Sequence, residues 1–491
     1  MTDLSAIEAP VIILGAGPAG LTAAYELTKN GLSSVLLEQN PWIGGLARTV
    51  EYKGNRFDLG GHRFYTKIPL VEQIWQEVLG KDLLVRPRLS RIYYKSKFFR
   101  YPIEPLDALR GLGLLEGIRC CLSMMKSRLF PRVPEHNFER WVSNRFGRRL
   151  FEIFFKTYTE KVWGINCSDI QADWAAQRIG NLSLCSVLVN ATFPRRSRDI
   201  RTLIRQFQYP RLGPGMMWSR VREIVEERGS EVRLNSPVER IHWEAGRVIA
   251  VRSAGQVYRA THFLSSIPIR ELIEALDPMP PEHVRRAARE LHYRDFITVA
   301  LMVQGSNLFP DNWIYIHDPR LIVGRIQNYN NWSADMTSDP EVTCLGLEYF
   351  CFEGDRQWNA KDDELISLAK RELVQLGLTE ERHILDGTVI RVPKAYPIYD
   401  GAYKQALGTV RDFLRTVPNL QLIGRNGMHR YNNQDHSMLT GVLAARNILG
   451  GHFDLWNLGG DVGYLEAGHD LTAEQLRAFG ESQPAVPRTM T

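Results

Sequence analysis

Residues 11–48 read VIILGAGPAGLTAAYELTKNGLSSVLLEQNPWIGGLAR, and no other stretch narrows the choice of fold so far. The apolar run 11–14 suits a buried parallel strand. Gly15, Gly17 and Gly20 then allow a tight turn, a close backbone approach to a pyrophosphate and close packing of a helix on that strand. The phosphate would rest on the helix N-terminus, where unpaired N–H groups and the helix dipole favour an anion. Leu21, Ala24 and Leu27 share one helical face, Asn30-Gly31 can end the helix, and 35–37 form a second buried strand closing on Glu38. A carboxylate there can accept both hydroxyls of a ribose. A GxGxxG alone is also compatible with a glycine-rich turn. Strand, glycines, helix, strand and acid in that order point to a dinucleotide site.

Gly44-Gly45-Leu46-Ala47-Arg48 follows Glu38 within a few residues. A second glycine pair with a basic side chain can wrap an extended pyrophosphate and approach an isoalloxazine ring, which moves the reading from NAD to FAD. This GGxxR extension resembles the flavoenzyme superfamily of amine oxidases, protoporphyrinogen oxidases, phytoene desaturases and sugar pyranose mutases. The expected fold class is therefore α/β. It comprises a Rossmann-like FAD-binding domain of the GR2 type, an inserted helical domain and an antiparallel-sheet substrate domain.

At 491 residues the chain is too long for one compact core. A net charge of +6 is mild over that length; it suits an anionic substrate or a slightly basic surface and gives no sign of a nucleic-acid binder. The six cysteines show no CxxC spacing, which suggests reduced thiols and a cytoplasmic location. The twelve histidines form no ligand-spaced cluster, so no metal is expected. No basic segment followed by an apolar core opens the chain, and no run of 18 apolar residues occurs, so neither a signal peptide nor a membrane span is expected. In 105–132, apolar patches alternate with Arg110, Arg119, Lys126, Arg128 and Arg132. A surface amphipathic helix in peripheral membrane contact is one reading; core-facing helices with basic solvent faces is the preferred one.

Along the chain, 52–59 alternates as a strand and Gly60-Gly61-His62-Arg63 breaks it. Two short strands follow in 88–102. Helical spacing then runs from 105 to about 212, with Phe138, Trp141, Phe146, Leu150, Phe151, Phe154, Phe155 and Tyr158 as an aromatic core stripe. An α/β pattern resumes at Gly213. It comprises a helix at 218–228, strands at 231–234 and 238–243, a hairpin over 247–259 and a buried strand at 261–266. Strands at 297–304, 313–317, 321–325 and 343–352 with a helix at 363–376 suggest an antiparallel substrate floor. A strand at 420–423 and a helix at 439–449 close the pattern. The domain plan is FAD-binding parts at 1–88, 213–270 and 406–452, a mainly helical cap at 89–212, a substrate domain at 271–405 and a polar tail at 453–491.

Within the superfamily, Lys161-Val162-Trp163, Arg178 with Asn181-Leu182, Asn328-Tyr329 after Arg325, and Asn433-Gln434-Asp435-His436-Ser437 with Gly441-Val442 and Asn447-Ile448 together resemble UDP-galactopyranose mutase, most of all its eukaryotic-type branch. That resemblance implies a mutase interconverting pyranose and furanose nucleotide sugars through a reduced-flavin N5-sugar adduct, without net redox change. It implies noncovalent FAD held by Gly15, Gly17, Gly20, Glu38, Gly44, Gly45, Arg48, Gly61, Val238, Gly424, Arg425, Gln434 and Ser437. His62 would neighbour the flavin, and Arg178 and Arg325 would hold the diphosphate. Arg88, Trp163, Tyr315, Tyr396 and Tyr431 would line the substrate site. NADPH or NADH would be a transient reductant, since no second full GxGxxG is present.

Two stretches depart from the family pattern. Arg63 and Lys67 place cations after the GGH turn, and 424–430 is more basic than usual. Extra cations favour an anionic reduced flavin or a different anionic substrate. The competing class is an FAD-dependent oxidoreductase taking a hydride from an amine, a porphyrinogen or a polyene; a noncatalytic flavin-binding protein is the third.

Overall fold

The computed structural model describes residues 6–103, 105–172 and 206–457. Arg178, Asn181, Leu182, Cys185 and the polar tail beyond 457 lie outside these described residues. The strand Val11–Leu14 is fully buried at the centre of a five-stranded parallel sheet. Across that sheet run Glu231–Arg233, Val35–Leu37, Val11–Leu14, His262–Ser265 and Leu420–Leu422. Burial on both faces explains why these strands read as continuous apolar runs. The helix Pro18–Lys29 follows, capped by Gly17 with proline in its first turn. Against it lies Gln434–Ile448, buried from Ser437 through Ala445. Gly441 makes this contact, because a β-carbon there would overlap the Ala19 carbonyl oxygen, while Gly20 seats the first helix on its own strand and turn, where a β-carbon would overlap the Gly15 carbonyl oxygen.

A second five-stranded sheet carries the expected hairpin, Arg247–Ser253 with Gln256–Arg259, beside Val238–Glu244. The third sheet has seven strands in the order Ile384–Pro397, Tyr293–Gln304, Val342–Cys351, Arg325–Asn328, Trp313–Ile316, Ser90–Tyr94 and Lys97–Arg100. All pairs are antiparallel except Trp313–Ile316 with Ser90–Tyr94. The strands Ser90–Tyr94 and Lys97–Arg100, expected with the helical insertion, thus belong to this seven-stranded sheet. Tyr293–Gln304 has little alternation because both faces are covered. Ile297, Val299, Leu301 and Val303 meet Leu365, Ala369 and Leu373 of Asp362–Gln375, while Ala300 and Met302 face Phe57, Phe207 and Trp332.

The strand expected at 321–325 begins instead at Arg325. The Ile322 and Val323 N–H groups donate to the Glu372 carboxylate, and Lys161 Nζ donates to the carbonyls of Ile316, Asp318 and Val323. Side chains have replaced the ladder there. Other differences follow from contacts distant in sequence. Gln206–Pro210 is a strand only because Leu83–Pro87 lies beside it, and Pro69–Leu79 is a helix whose Trp75 stacks on Phe64 with ring centroids 3.8 Å apart.

The cap helices Phe138–Phe146, Arg148–Phe151 and Thr157–Trp163 bury the aromatic stripe, with one π-helical turn at Glu152–Lys156. Within 105–132 the preferred expectation fails for the second helix: Ala108 and Leu112 of Pro105–Leu112 face the core, but in Leu114–Leu129 the leucines face outward, and the inward face is made by Gly117, Cys120 and their neighbours. The bundle beneath approaches the helix backbone itself: a β-carbon on Gly147 would lie 2.7 Å from the Met124 nitrogen. No helix among the described residues is long and apolar enough to cross a membrane. The five described cysteines are free thiols.

Gly441→Val should force the helices at Ala19 apart and lower unfolding free energy by about 1–3 kcal/mol. Denaturant unfolding measures this; an unchanged midpoint would contradict the packing.

Candidate functional site

The carboxyl ends of the parallel strands open onto a cleft of about 490 Å³ shared with the seven-stranded sheet. Gly15, Glu38, Ser266 and Gly424 line it from the first side, and Tyr315, Arg325, Gln327 and Tyr396 from the other. At the first end the two glycine motifs form one cradle. Gly44 donates its N–H to the Ala16 carbonyl at 2.9 Å, and a β-carbon on Gly45 would lie 3.3 Å from Gly17 Cα. Gly17 itself has room for a β-carbon, with only Gly45 Cα near, at 3.9 Å. That opening at a helix N-terminus is what a pyrophosphate requires. Glu38 accepts the Ala16 N–H at 2.9 Å and the Asn40 N–H and amide at 3.0 and 2.8 Å, which fixes its carboxylate at the rim. Arg48 packs its guanidinium 4.0 Å from the Trp42 ring centroid, and burial pulls its pKa below the ordinary value. Ser236, Pro237 and Val238 line the cleft beside Glu38, whose backbone carbonyl accepts the Ser236 N–H at 2.8 Å.

The far end is built around a buried ion pair. Arg325 donates from Nε and Nη2 to Glu348 at 2.9 and 2.5 Å, and Gln327 Nε2 donates to the same carboxylate at 2.9 Å. Burial opposes the charge on Arg325, but the Glu348 carboxylate outweighs it and holds the guanidinium well above its ordinary pKa. The Gly60-Gly61 turn crosses this pair, with Gly60 at φ +95°. A β-carbon on Gly61 would come within 2.9 Å of Gln327 Nε2. His62 follows directly. Burial, then Arg425 and Arg325, push its pKa down to about 3, so the imidazole is neutral.

Arg425 donates to the carbonyls of Asn432 and Ala395, both at 2.9 Å, and lies 4.8 Å from the Tyr431 ring and 5.6 Å from Tyr396. Those two rings stack 5.6 Å apart at 9°. Tyr315 contacts Tyr101 and Tyr158, each with ring centroids close to 5 Å. Two expected residues sit behind the wall. Trp163 is buried against Tyr396, Tyr399 and Tyr431. Arg88 lies beside the Tyr101 and Trp313 rings, donating to Ser90 Oγ and the Tyr101 carbonyl. Gly20 and Gly44 likewise serve backbone packing, while Gln434 and Ser437 reach the cleft.

Sequence reasoning missed Glu348, Gln327, Trp313 and the Lys394–Glu271 ion pair. Only Glu348 carried a signal: a single acid inside the apolar run VTCLGLEYFC calls for a buried cation.

The residues fit an extended flavin dinucleotide. His62 Nδ1, Gln327 Oε1, Asn426 Oδ1 and Gln434 Oε1 are buried along the cleft with no hydrogen-bond partner from the protein, and the cradle at Gly17 would be filled by any side chain. Fold and cleft together define a dinucleotide-binding flavoprotein. The model of the flavin-containing amine oxidoreductase family matches residues 18–449, and the chain belongs to that family. Its fold is shared with a crystal structure of reduced UDP-galactopyranose mutase, at a TM-score of 0.81 and 21% identity, covering 92% of this chain and 98% of that one. At that identity the likeness is one of fold. The Klebsiella pneumoniae protein named Probable UDP-galactopyranose mutase is 24% identical over 174 residues, 33% of this chain and 43% of its own. A ferredoxin–NADP reductase of Gluconacetobacter diazotrophicus is 34% identical over 89 residues, 18% of this chain and 25% of its own. The chain thus spans less than half the length of these two curated relatives.

Gly17→Val should leave the fold intact and lose bound flavin, because its side chain enters the cradle and not the protein core. The 450 nm absorbance per chain reads this, and normal loading would contradict the placement. His62 should stay neutral from pH 8 down to pH 4. An imidazole C–H signal titrating near 6.5 would mean that the ring is solvated.

Proposed function

We propose that this protein is a flavin-dependent mutase interconverting pyranose and furanose forms of a nucleotide sugar. The observation that carries the reading is the basic lining of the cleft: Arg48, Arg63, Arg325, Arg391, Lys394 and Arg425 line it with Glu38, Glu271 and Asp435, and of the cations Arg325, Arg391 and Lys394 are paired with Glu348, Asp362 and Glu271. Such a lining attracts a dinucleotide and an anionic substrate together, and it repels a protonated amine. The likeness of fold to reduced UDP-galactopyranose mutase supports the same reading.

When bound, reduced FAD supplies a nucleophilic nitrogen that can displace a nucleoside diphosphate from an anomeric carbon. The chain's own residues do the rest. Two N–H groups of Arg325 are committed to Glu348, so the outward-facing N–H groups of the same guanidinium bind a phosphate oxygen while the carboxylate fixes its plane. Arg178, which the resemblance to the mutases pairs with it, lies outside the described residues and is proposed as the second arm. Tyr315, Tyr396 and Tyr431 offer phenol donors from an apolar wall. Neutral His62 offers one acceptor nitrogen at the ring end of the cofactor, where it fixes hydrogen bonding without adding charge. NADPH or NADH visiting the same cleft is the proposed source of reducing equivalents. The second reading is FAD-dependent oxidation of an amine, a porphyrinogen or a polyene, favoured by the redox members of the family.

Anaerobic, dithionite-reduced enzyme should interconvert UDP-galactopyranose and UDP-galactofuranose, followed by chromatography, and the oxidised enzyme should not. Absence of interconversion with reduced flavin would move the assignment to the oxidoreductase class. Arg325→Ala alone would strand Glu348 as a buried unpaired charge. The double variant Arg325→Gln/Glu348→Gln is therefore the cleaner test; it should keep its flavin and lose about 100-fold in kcat/KM.

A further inference from the structure

The outward face of the helix Leu114–Leu129 is the most apolar surface of the cap, and nothing in the described structure covers it. Leu114, Leu115, Ile118, Leu122, Met125 and Leu129 are between 47% and 77% exposed. At about 100° per residue these six fall within one arc of about 100°. Arg119 and Lys126 border the arc on one side and Arg128 on the other. The opposite arc, with Gly117, Cys120 and Met124, is the one that meets the protein: Gly147 packs on Met124, and Cys120 joins a core with Ile92, Phe99 and Phe154. A helix seated the usual way on a soluble protein would show the reverse pattern.

Charge says what this face meets. Residues 105–133 contain five basic side chains and two acidic ones. Both acids are occupied. Glu116 pairs with Arg149 and Arg119, and Asp107 accepts the Arg100 N–H at 2.8 Å. The outward face therefore offers apolar side chains bordered by Lys126 and Arg128, while Arg119 pairs with Glu116 and Arg132 lies 3.9 Å from Glu139. Just past the helix, Phe130 and Val133 are 74% and 75% exposed, and they flank Arg132. Leucines at the centre with lysine and arginine at the margins is the pattern of a helix lying in a bilayer interface, its apolar stripe in the acyl boundary and its cations at anionic headgroups.

We propose that this helix docks the protein, side-on and reversibly, onto an anionic lipid bilayer. The surface lies behind the cleft wall, since the core under the helix also touches Tyr315. The flavin cleft is then held next to the membrane without any part of the helix crossing it.

Flotation of the full, flavin-loaded chain with vesicles tests this. Vesicles of equimolar phosphatidylcholine and phosphatidylglycerol should carry the protein upward, vesicles of phosphatidylcholine alone should carry much less, and high salt should release it. Leu122→Glu/Leu129→Glu should abolish flotation while flavin content and melting temperature stay unchanged, because both side chains are exposed. Lys126→Ala should weaken binding about five-fold. The proposal is overturned if the wild type fails to float with anionic vesicles, or if the double variant floats equally well. It is also overturned if the wild type is a lipid-indifferent dimer that Leu122→Glu/Leu129→Glu splits in light scattering, since the face would then be covered by a second copy of the chain.

Discussion

Everything in the nucleotide half of this molecule depends on how closely its backbone can approach itself around Gly15 to Gly20. The parallel strand ends at Gly15, whose φ of +98° turns the chain, and Gly20 then lets the helix ride over that turn. Gly441 repeats the device on the helix Gln434–Ile448, and Gly45 brings the second motif onto Gly17. With side chains at these positions the layers would separate, and the opening at the helix N-terminus would lose its shape. The cradle is thus a by-product of dense packing around a point where no side chain is present.

The other half is organised by a buried charge. Glu348 is fully buried in the middle of a strand, which costs free energy unless a cation meets it. Arg325, on the adjacent strand, supplies that cation in register, Arg325 opposite Glu348. This pairing leaves the guanidinium charged and aimed at the cleft. It also contributes to the field that keeps His62 neutral, after burial itself and Arg425. One ion pair therefore joins a structural task to an electrostatic one, and the glycines at 60 and 61 let the histidine turn pass directly over it.

The legible parts of this chain were those in which one local segment carries the whole physical reason. The strand, turn, helix, strand and acid of 11–38 are such a segment, and the structure has each of them. Hairpin 247–259 and helix 362–375 were likewise written in local periodicity. Leu321 to Val323 were misread as strand because their apolar pattern is local, while the carboxylate of Glu372 that takes their N–H groups lies some fifty residues away. Residues 114–129 show the opposite failure: periodicity identified a helix and its apolar stripe, but not which way the stripe points.

By itself, then, the sequence determined a dinucleotide-binding α/β chain with a flavin-type second glycine motif, because glycines, apolar runs and a terminal acid act within a few residues of one another. Only the tertiary structure decided that Arg325 spends half its fork on Glu348, that Trp163 and Arg88 stand behind the cleft wall, and that the leucines of 114–129 face outward. Those outcomes are set by partners brought together from distant parts of the chain, and no local pattern carries the identity of a distant partner.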